Sequence, residues 1–274
     1  MKKLKYLLVL CMSLIACTVF ANAAYEEVDV YLDDQAMFLE TPALMINDTT
    51  YVPLRAFCET ASDCTVTWNQ QTLSANISAS GLNLQVIQDG RYLVANGRYL
   101  FLPNRARVIN GVMFVPVRTL AQVYGMALTW NSEHGAVLLK SGAYAFESGE
   151  SFYDADDVYW LSRIIHAESG NESFEGKLAV GNVIMNRVEN SQFPNTVKEV
   201  IFDRRHGVQF TPTVNNSIYK TPSEESIIAA KICLEGYEII PRGLYFLNPR
   251  IAQNQWASRN RPYVATIGNH AFYA

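Results

Sequence analysis

A two-domain α+β fold is what this sequence predicts, and three observations carry that expectation. A stretch in the first half is duplicated. The second half opens with apolar residues at helical spacing and closes in short strand-like runs. Between the halves, residues 141–153 (SGAYAFESGESFY) break both patterns with Gly, Ser and Glu. The boundaries are then 26–140 for the first domain, 141–153 for a linker and 155–274 for the second. A chain of 274 residues accommodates two ordinary domains of roughly 100–200 residues each. With 49% hydrophobic and 18% charged residues it is a foldable globular sequence.

Residues 1–23 stand before both domains. Lys2, Lys3 and Lys5 form a basic head, Tyr6 to Phe20 is an apolar run short for a bilayer span, and Ala21-Asn22-Ala23 is a small-x-small cleavage signal. They read as a signal peptide for export. Leu14-Ile15-Ala16-Cys17 also fits a lipobox, and a membrane is a partner only if Cys17 is lipidated. Removing the three lysines takes the formal charge from −4 to −7. Such a protein lacks the basic face that phosphate contacts need, which argues against nucleic acid as a partner. Recognition falls to shape, hydrogen bonds and aromatic stacking, for which 15 Tyr and 4 Trp are available. Cys58, Cys64 and Cys233 remain after processing. The first two are close enough for a small-loop disulfide, although a helical turn at Cys58 would set the wrong geometry, and both outcomes stay open. Cys233 sits in an apolar helical pattern and reads as buried and inert.

The duplication pairs ALMINDTTYVPLRAF at 43–57 with ARVINGVMFVPVRTL at 106–120, and each copy is followed by Thr-Trp-Asn, at 67–69 and 129–131. Asn47-Asp48 and Asn110-Gly111 are tight-turn dipeptides between short apolar strands. Pro53 and Pro116 fit the first position of a helix, where no backbone donor is needed. A strand carrying the Trp follows, so each unit reads β-β-α-β. With V-P-x-R and T-W-N recurring in order, residues 26–140 resemble the copper amine oxidase N-terminal-like domain, an accessory module. The name implies no copper: the region holds one histidine, His134, where copper wants several imidazoles. Arg55 and Arg118 read as charged helix-start residues tying neighbouring turns together.

In the second half Asp154 caps a helix with Asp157 in the capping-box position, and Val158, Leu161, Ile164 and Ile165 form its apolar stripe. Glu168 continues that stripe. A carboxylate there is a desolvated acid, whose raised pKa suits protonation of a glycosidic oxygen, a structural group paired with a cation such as Arg187, or a helix end tipping into water. A second helix is expected from Phe174 to Glu189, a third opens at the capping box Thr196-x-x-Glu199, and a fourth runs from the Thr221-Pro222 region to Leu234, stopped by Gly236. Leu244–Leu247 and His270–Tyr273 read as short strands.

WLSRIIHAESGNESFEGKLAVGNVIMNRVENSQFPNTVKEVIF, then LYFLNP and IGNHAFYA, resemble the SleB/CwlJ-type cell wall hydrolases, the spore cortex-lytic family, over 155–274. The resemblance implies a lysozyme-like α+β catalytic domain that needs no cofactor or metal. It implies cleavage of peptidoglycan glycan strands between N-acetylmuramic acid and N-acetylglucosamine, as a lytic transglycosylase. Its single essential glutamate, in the segment A-E-x-x-x-E, falls on Glu168. Where many members have Ala-Arg-Gly after that glutamate, this chain has Ser169-Gly170-Asn171. Gln209, Tyr245 and Asn248 match cleft-facing positions and are candidates for hydrogen bonds to sugar. The expected location is outside the cytoplasm, secreted or bound to the cell wall or spore envelope.

The residues agree with one-glutamate chemistry. A two-carboxylate hydrolase needs its pair about 5 Å or about 6.5–9.5 Å apart, and neither Glu172 nor Glu175 is bound by its spacing to face Glu168. Three rivals stand beside this reading: a non-catalytic wall-binding or germination accessory protein, a zinc amidase or peptidase built on His166, His206, His270 and Glu168, and a thiol hydrolase on Cys233. The histidines lack compact metal-ligand spacing, and Cys233 lies mid-helix without a basic partner.

Overall fold

The structure is a computed structural model and describes residues 25–142 and 146–274. The signal peptide and Cys17 lie outside the described residues.

The first domain is built from β1 (Glu26–Leu32), β2 (Gln35–Ala36), β3 (Ala43–Ile46), β4 (Thr49–Pro53), α1 (Leu54–Ala61), β5 (Cys64–Asn69), β6 (Ser74–Ala79), β7 (Leu82–Ile87), β8 (Tyr92–Ala95), β9 (Arg98–Phe101), β10 (Arg107–Ile109), β11 (Val112–Pro116), α2 (Val117–Val123), β12 (Ala127–Asn131) and β13 (Ala136–Lys140). Both repeat units fold alike. Asn47 and Asp48 have φ of 48° and 58°, and Asn110 and Gly111 51° and 80°, so each unit opens on a turn with two left-handed residues. Pro53 and Pro116 stand one position earlier than the sequence suggests. Each is the helix cap, in extended conformation, and ends its strand. The repeat also runs further than the matched letters. The Asn69 side chain accepts from the backbone N–H groups of Gln71 and Thr72, and Asn131 does the same for Glu133 and His134. These Asx turns lead into β6 and β13, so each unit is β-β-α-β-β.

The units meet strand to strand. β4 and β11 pair antiparallel about Val52↔Val115, with Tyr51 opposite Pro116 and Pro53 opposite Phe114, which places an approximate two-fold axis through the Val pair. The main sheet runs β10-β11-β4-β3-β1-β13-β12, with β2 beside β1. The first unit's β5 and β6 join an inserted meander, β7-β8-β9, in a second sheet of order β5-β6-β7-β8-β9. Its last turn, Asn96-Gly97 (φ 49° and 80°), is a hairpin signal as plain as those of the repeats. Cys58 and Cys64 are free thiols in the structure.

The second domain follows α3 (Gly149–Phe152) and contains α4 (Ala155–Ser169), α5 (Phe174–Glu189), α6 (Val197–Phe202), α7 (Glu224–Leu234), β14 (Tyr245–Leu247), α8 (Trp256–Asn260), β15 (Tyr263–Ile267) and β16 (His270–Tyr273). Asp154 caps α4 by accepting from Asp156 and Asp157, and Thr196 caps α6 by accepting from Glu199. The cap of α7 is Ser223, so the helix opens two residues later than Pro222 at its first position would require. Helices α4, α5 and α7 enclose a core of Leu161, Ile164, Ile165, Leu178, Ile184 and Ile232. A Cβ on Gly181 would lie 2.6 Å from the Cys233 Sγ and 2.9 Å from Ile165 Cδ1. Glycine there lets α5 approach α4 and α7. The three-stranded sheet β14-β16-β15 closes one side.

The halves share an interface. Arg98 of β9 makes a two-pronged ion pair with Glu235, at 3.0 Å and 2.7 Å, with side chains 6% and 4% exposed. Tyr153 donates to the same carboxylate at 2.6 Å and accepts from the Tyr99 backbone N–H. Around the pair, Phe101 stacks on Phe174 and lies tilted against Tyr237, and Arg91 pairs with Glu175 at 3.1 Å. The segment expected as a linker takes part. Phe146 is buried against the first domain's core, Phe152 lies under the Arg98 guanidinium, and Gly149 donates to the Asn96 carbonyl at the β8–β9 turn.

Candidate active site

An open cleft of about 1360 Å³ runs along the second domain. The end of α4 supplies one wall, with Glu168 on the helix's last turn. The stripe that places it is fully buried at Leu161, Ile164 and Ile165. Glu168 itself is half-buried. Its carboxyl has no hydrogen bond or ion pair among the described residues, and burial alone pushes its pKa up to about 7. Among the described residues Glu168 is therefore not a partner of Arg187, and burial is the cause of its raised pKa.

Gln209, Tyr245 and Asn248 line the same cleft as Glu168. The Tyr245 hydroxyl accepts from Arg261 at 3.1 Å, and the Asn248 side chain accepts from the Arg250 backbone, turning the loop after β14. Gln209 donates weakly to the Gly207 carbonyl. These residues depend on a polar ladder along α5. Asn182 donates to the Tyr237 carbonyl and accepts from the Ile239 N–H, and Asn186 donates to the carbonyls of Ile240 and Gly243. The irregular chain from 237 to 244 is thereby fixed, and it delivers β14 to the cleft.

Sequence spacing leaves two neighbours of Glu168 unassigned, and the structure separates them. Glu172 lines the cleft, but its two oxygens accept from the Asn269 side chain and backbone at 2.9 Å and 3.0 Å. Those bonds hold its pKa below the ordinary value. Glu175 faces the first domain and Arg91. Glu168 thus keeps its proton towards neutrality, while the cleft carboxyls of Glu172 and Asp203 are ionised and engaged, the latter by Arg205. His270, also in the cleft wall, is buried beside Phe246. Burial lowers its pKa. His166 accepts from the Ser223 N–H at the start of α7. Among the described residues, no three His, Cys, Asp or Glu side chains gather as a metal set. Cys233 is fully enclosed, and burial pushes its thiol well above the ordinary range.

Aromatic surface completes the cleft. Phe193, Phe210, Tyr245 and Trp256 line it, and Trp256 is 47% exposed. Such faces suit sugar rings, whose C–H surfaces are apolar.

Residues 171–273 match the family model described as Cell Wall Hydrolase. Residues 31–139 match the copper amine oxidase N-terminal domain. Over 120 residues the chain is 36% identical to the spore cortex-lytic enzyme of Bacillus cereus, covering 44% of this chain and 45% of the relative. It is 32% identical to the spore cortex-lytic enzyme of Bacillus subtilis (strain 168), covering 44% and 38%. The chain therefore spans less than half the length of the curated relatives it matches. A solved structure of the catalytic domain of the germination-specific lytic transglycosylase SleB from Bacillus anthracis is 35% identical, covers 44% of this chain and 97% of its own, and has a TM-score of 0.41. The matched family segment starts three residues after Glu168 and includes Glu172, Gln209, Tyr245 and Asn248.

Proposed function

We propose that this chain is an exported peptidoglycan-lytic enzyme that cleaves between N-acetylmuramic acid and N-acetylglucosamine as a lytic transglycosylase, with Glu168 as the sole general acid and base. The observation that carries the reading is an unpartnered carboxyl with a pKa near 7 in the wall of a long, aromatic-lined cleft. Protonated Glu168 gives its proton to the glycosidic oxygen as the C1–O bond of the muramoyl residue breaks. As carboxylate it then takes the proton of the same residue's C6 hydroxyl, whose oxygen closes on C1. The products are a free N-acetylglucosamine 4-hydroxyl and a 1,6-anhydromuramoyl end, and Glu168 is again protonated. Neither water nor metal is consumed. Gln209 and Asn248 offer amides to the sugar hydroxyls, and Tyr245 and Trp256 offer stacking faces.

The test is product mass. Mature protein incubated with sacculi or spore cortex should release fragments ending in 1,6-anhydromuramic acid. Reducing muramic ends would reject the transglycosylase step in favour of hydrolysis. Binding without any release of fragments would favour a wall-binding accessory protein.

A further inference from the structure

Arg187 carries a charge that the reaction above does not use. It sits on the last turn of α5, is 4% exposed, and lies in the wall of the cleft. Its Nε donates to the Leu244 carbonyl at 2.8 Å. Its guanidinium stands 4.9 Å from the ring of Phe193, 5.2 Å from Phe210 and 5.3 Å from Tyr245. Among the described residues no carboxylate pairs with it. Asp203, the acid that acts on it through space, is bound by both oxygens to Arg205. The Nη1 of Arg187 is buried and has no acceptor among the described residues.

Burying a cation without a counter-ion is costly, and an unfilled buried donor adds to that cost. Burial accordingly pulls the guanidinium pKa down to about 10. The three rings offset part of the penalty through their negative faces, and they exclude water from the charge. What such a group lacks is an anionic oxygen: carboxylate matches the planar fork and is bound more strongly than a neutral hydroxyl or carbonyl. The protein as a whole is acidic, so this affinity is local and not a property of its net charge.

We propose that Arg187, boxed by Phe193, Phe210 and Tyr245, is a specificity-determining subsite that takes a carboxylate carried by the glycan substrate. The inference rests on the cleft binding peptidoglycan strands, as proposed above. In such strands N-acetylglucosamine offers no carboxylate. The lactyl group of muramic acid, or the peptide attached to it, does. The subsite therefore sets the register of the strand by selecting muramoyl over glucosaminyl residues.

Binding of substrate pairs that differ only in that charge tests the idea. The full chain with Glu168→Gln is titrated calorimetrically with a muramoyl oligosaccharide as free acid and as methyl ester. The acid should bind roughly tenfold or more tightly, as one hydrogen-bonded charge contact implies. Arg187→Met should abolish the difference, and Arg187→Lys should restore part of it. Should Arg187→Met fail to fold, the Arg187 Nε–H resonance decides, since it should shift with the acid and not with the ester. Equal binding of acid and ester, a difference that survives Arg187→Met, or a resonance indifferent to the acid would each overturn the subsite while leaving the glycan-lytic reading intact. Failure of either ligand to bind would remove both.

Discussion

Glu168 is an acid that the fold keeps at some cost. Its pKa rises from 4.5 to about 7 through burial. Below pH 4.5 it is protonated whether the chain is folded or not, and pH has no effect through it. Between 4.5 and about 7 only the folded protein holds the proton, so stability falls as pH rises. Above about 7 the full penalty is present, roughly 3 kcal/mol at 1.36 kcal/mol per pKa unit. Replacement by Gln removes it. Glu168→Gln should therefore be more stable than the native protein by an amount that grows across that window, measurable by urea unfolding at pH 4 and pH 8. Turnover should fall by about 10²–10⁴-fold at least, the usual share of general acid–base help, while sugar binding persists. Near-normal turnover would remove Glu168 from the reaction. In the native enzyme, turnover should decline as pH rises through about 7, because the first step needs the proton. Glu172→Gln and Glu175→Gln should cost far less activity. The first loosens the Asn269 turn and the second only a half-exposed pair with Arg91.

At the scale of the element, α5 does more than fill the core. Its Asn182 and Asn186, one turn apart, hold the chain from 237 to 244 and so place Tyr245 and Asn248. Asn182→Ala leaves the Ile239 N–H and Tyr237 carbonyl without their partner. It should destabilise by about 1–3 kcal/mol and raise KM more than it lowers kcat. A lowered kcat with KM unchanged would count against this positioning role. On the opposite side, Gly181→Ala drives a methyl into Cys233 and Ile165. Overpacking of this kind costs about 1–3 kcal/mol, and adding Cys233→Ala should recover much of it in thermal unfolding. The boundaries of α5 and the place of Glu168 on the stripe of α4 could be read from periodicity, because both signals are local, whereas the role of Glu168 comes from the resemblance, since spacing alone leaves the acid and the structural readings level. The Asn ladder, the Glu172–Asn269 bonds and the box around Arg187 could not. Their partners lie 97 positions apart for Glu172 and Asn269, and periodicity within one helix carries no information about which loop returns to it. The β7–β9 meander is different: its hairpin signal, Asn96-Gly97, is local, but it lies outside the duplicated segments that define the two units.

Across the whole molecule, the duplicated domain and the hydrolase domain are joined by more than a tether. The Arg98–Glu235 pair is enclosed at the interface, and removing one partner of such a pair typically costs about 3–5 kcal/mol because the other is left charged and dry. Glu235→Ala should therefore destabilise the chain by about that amount, whereas Arg55→Ala, which breaks an exposed pair with Glu59, should change stability by less than about 1 kcal/mol. Two modules working independently would be expected to allow residues 153–274 to fold alone with full activity. The interface predicts instead that this fragment exposes Phe174 and Tyr237, strands Glu235, and unfolds at lower denaturant than the same domain within the full chain. Equal midpoints would show that the contact contributes nothing to stability. The antiparallel match of β4 with β11 about Val52 and Val115 carries a further consequence. Two copies meeting through the same patch, each strand opposite its counterpart, is the geometry of a symmetric homodimer. A single copy would present β4 as a raw sheet edge able to recruit another chain. Joining the copies in one polypeptide turns that encounter into an intramolecular one, with an effective concentration set by the connecting chain and not by how much protein is present. Dilution, which would dissolve a dimer, leaves this one assembled.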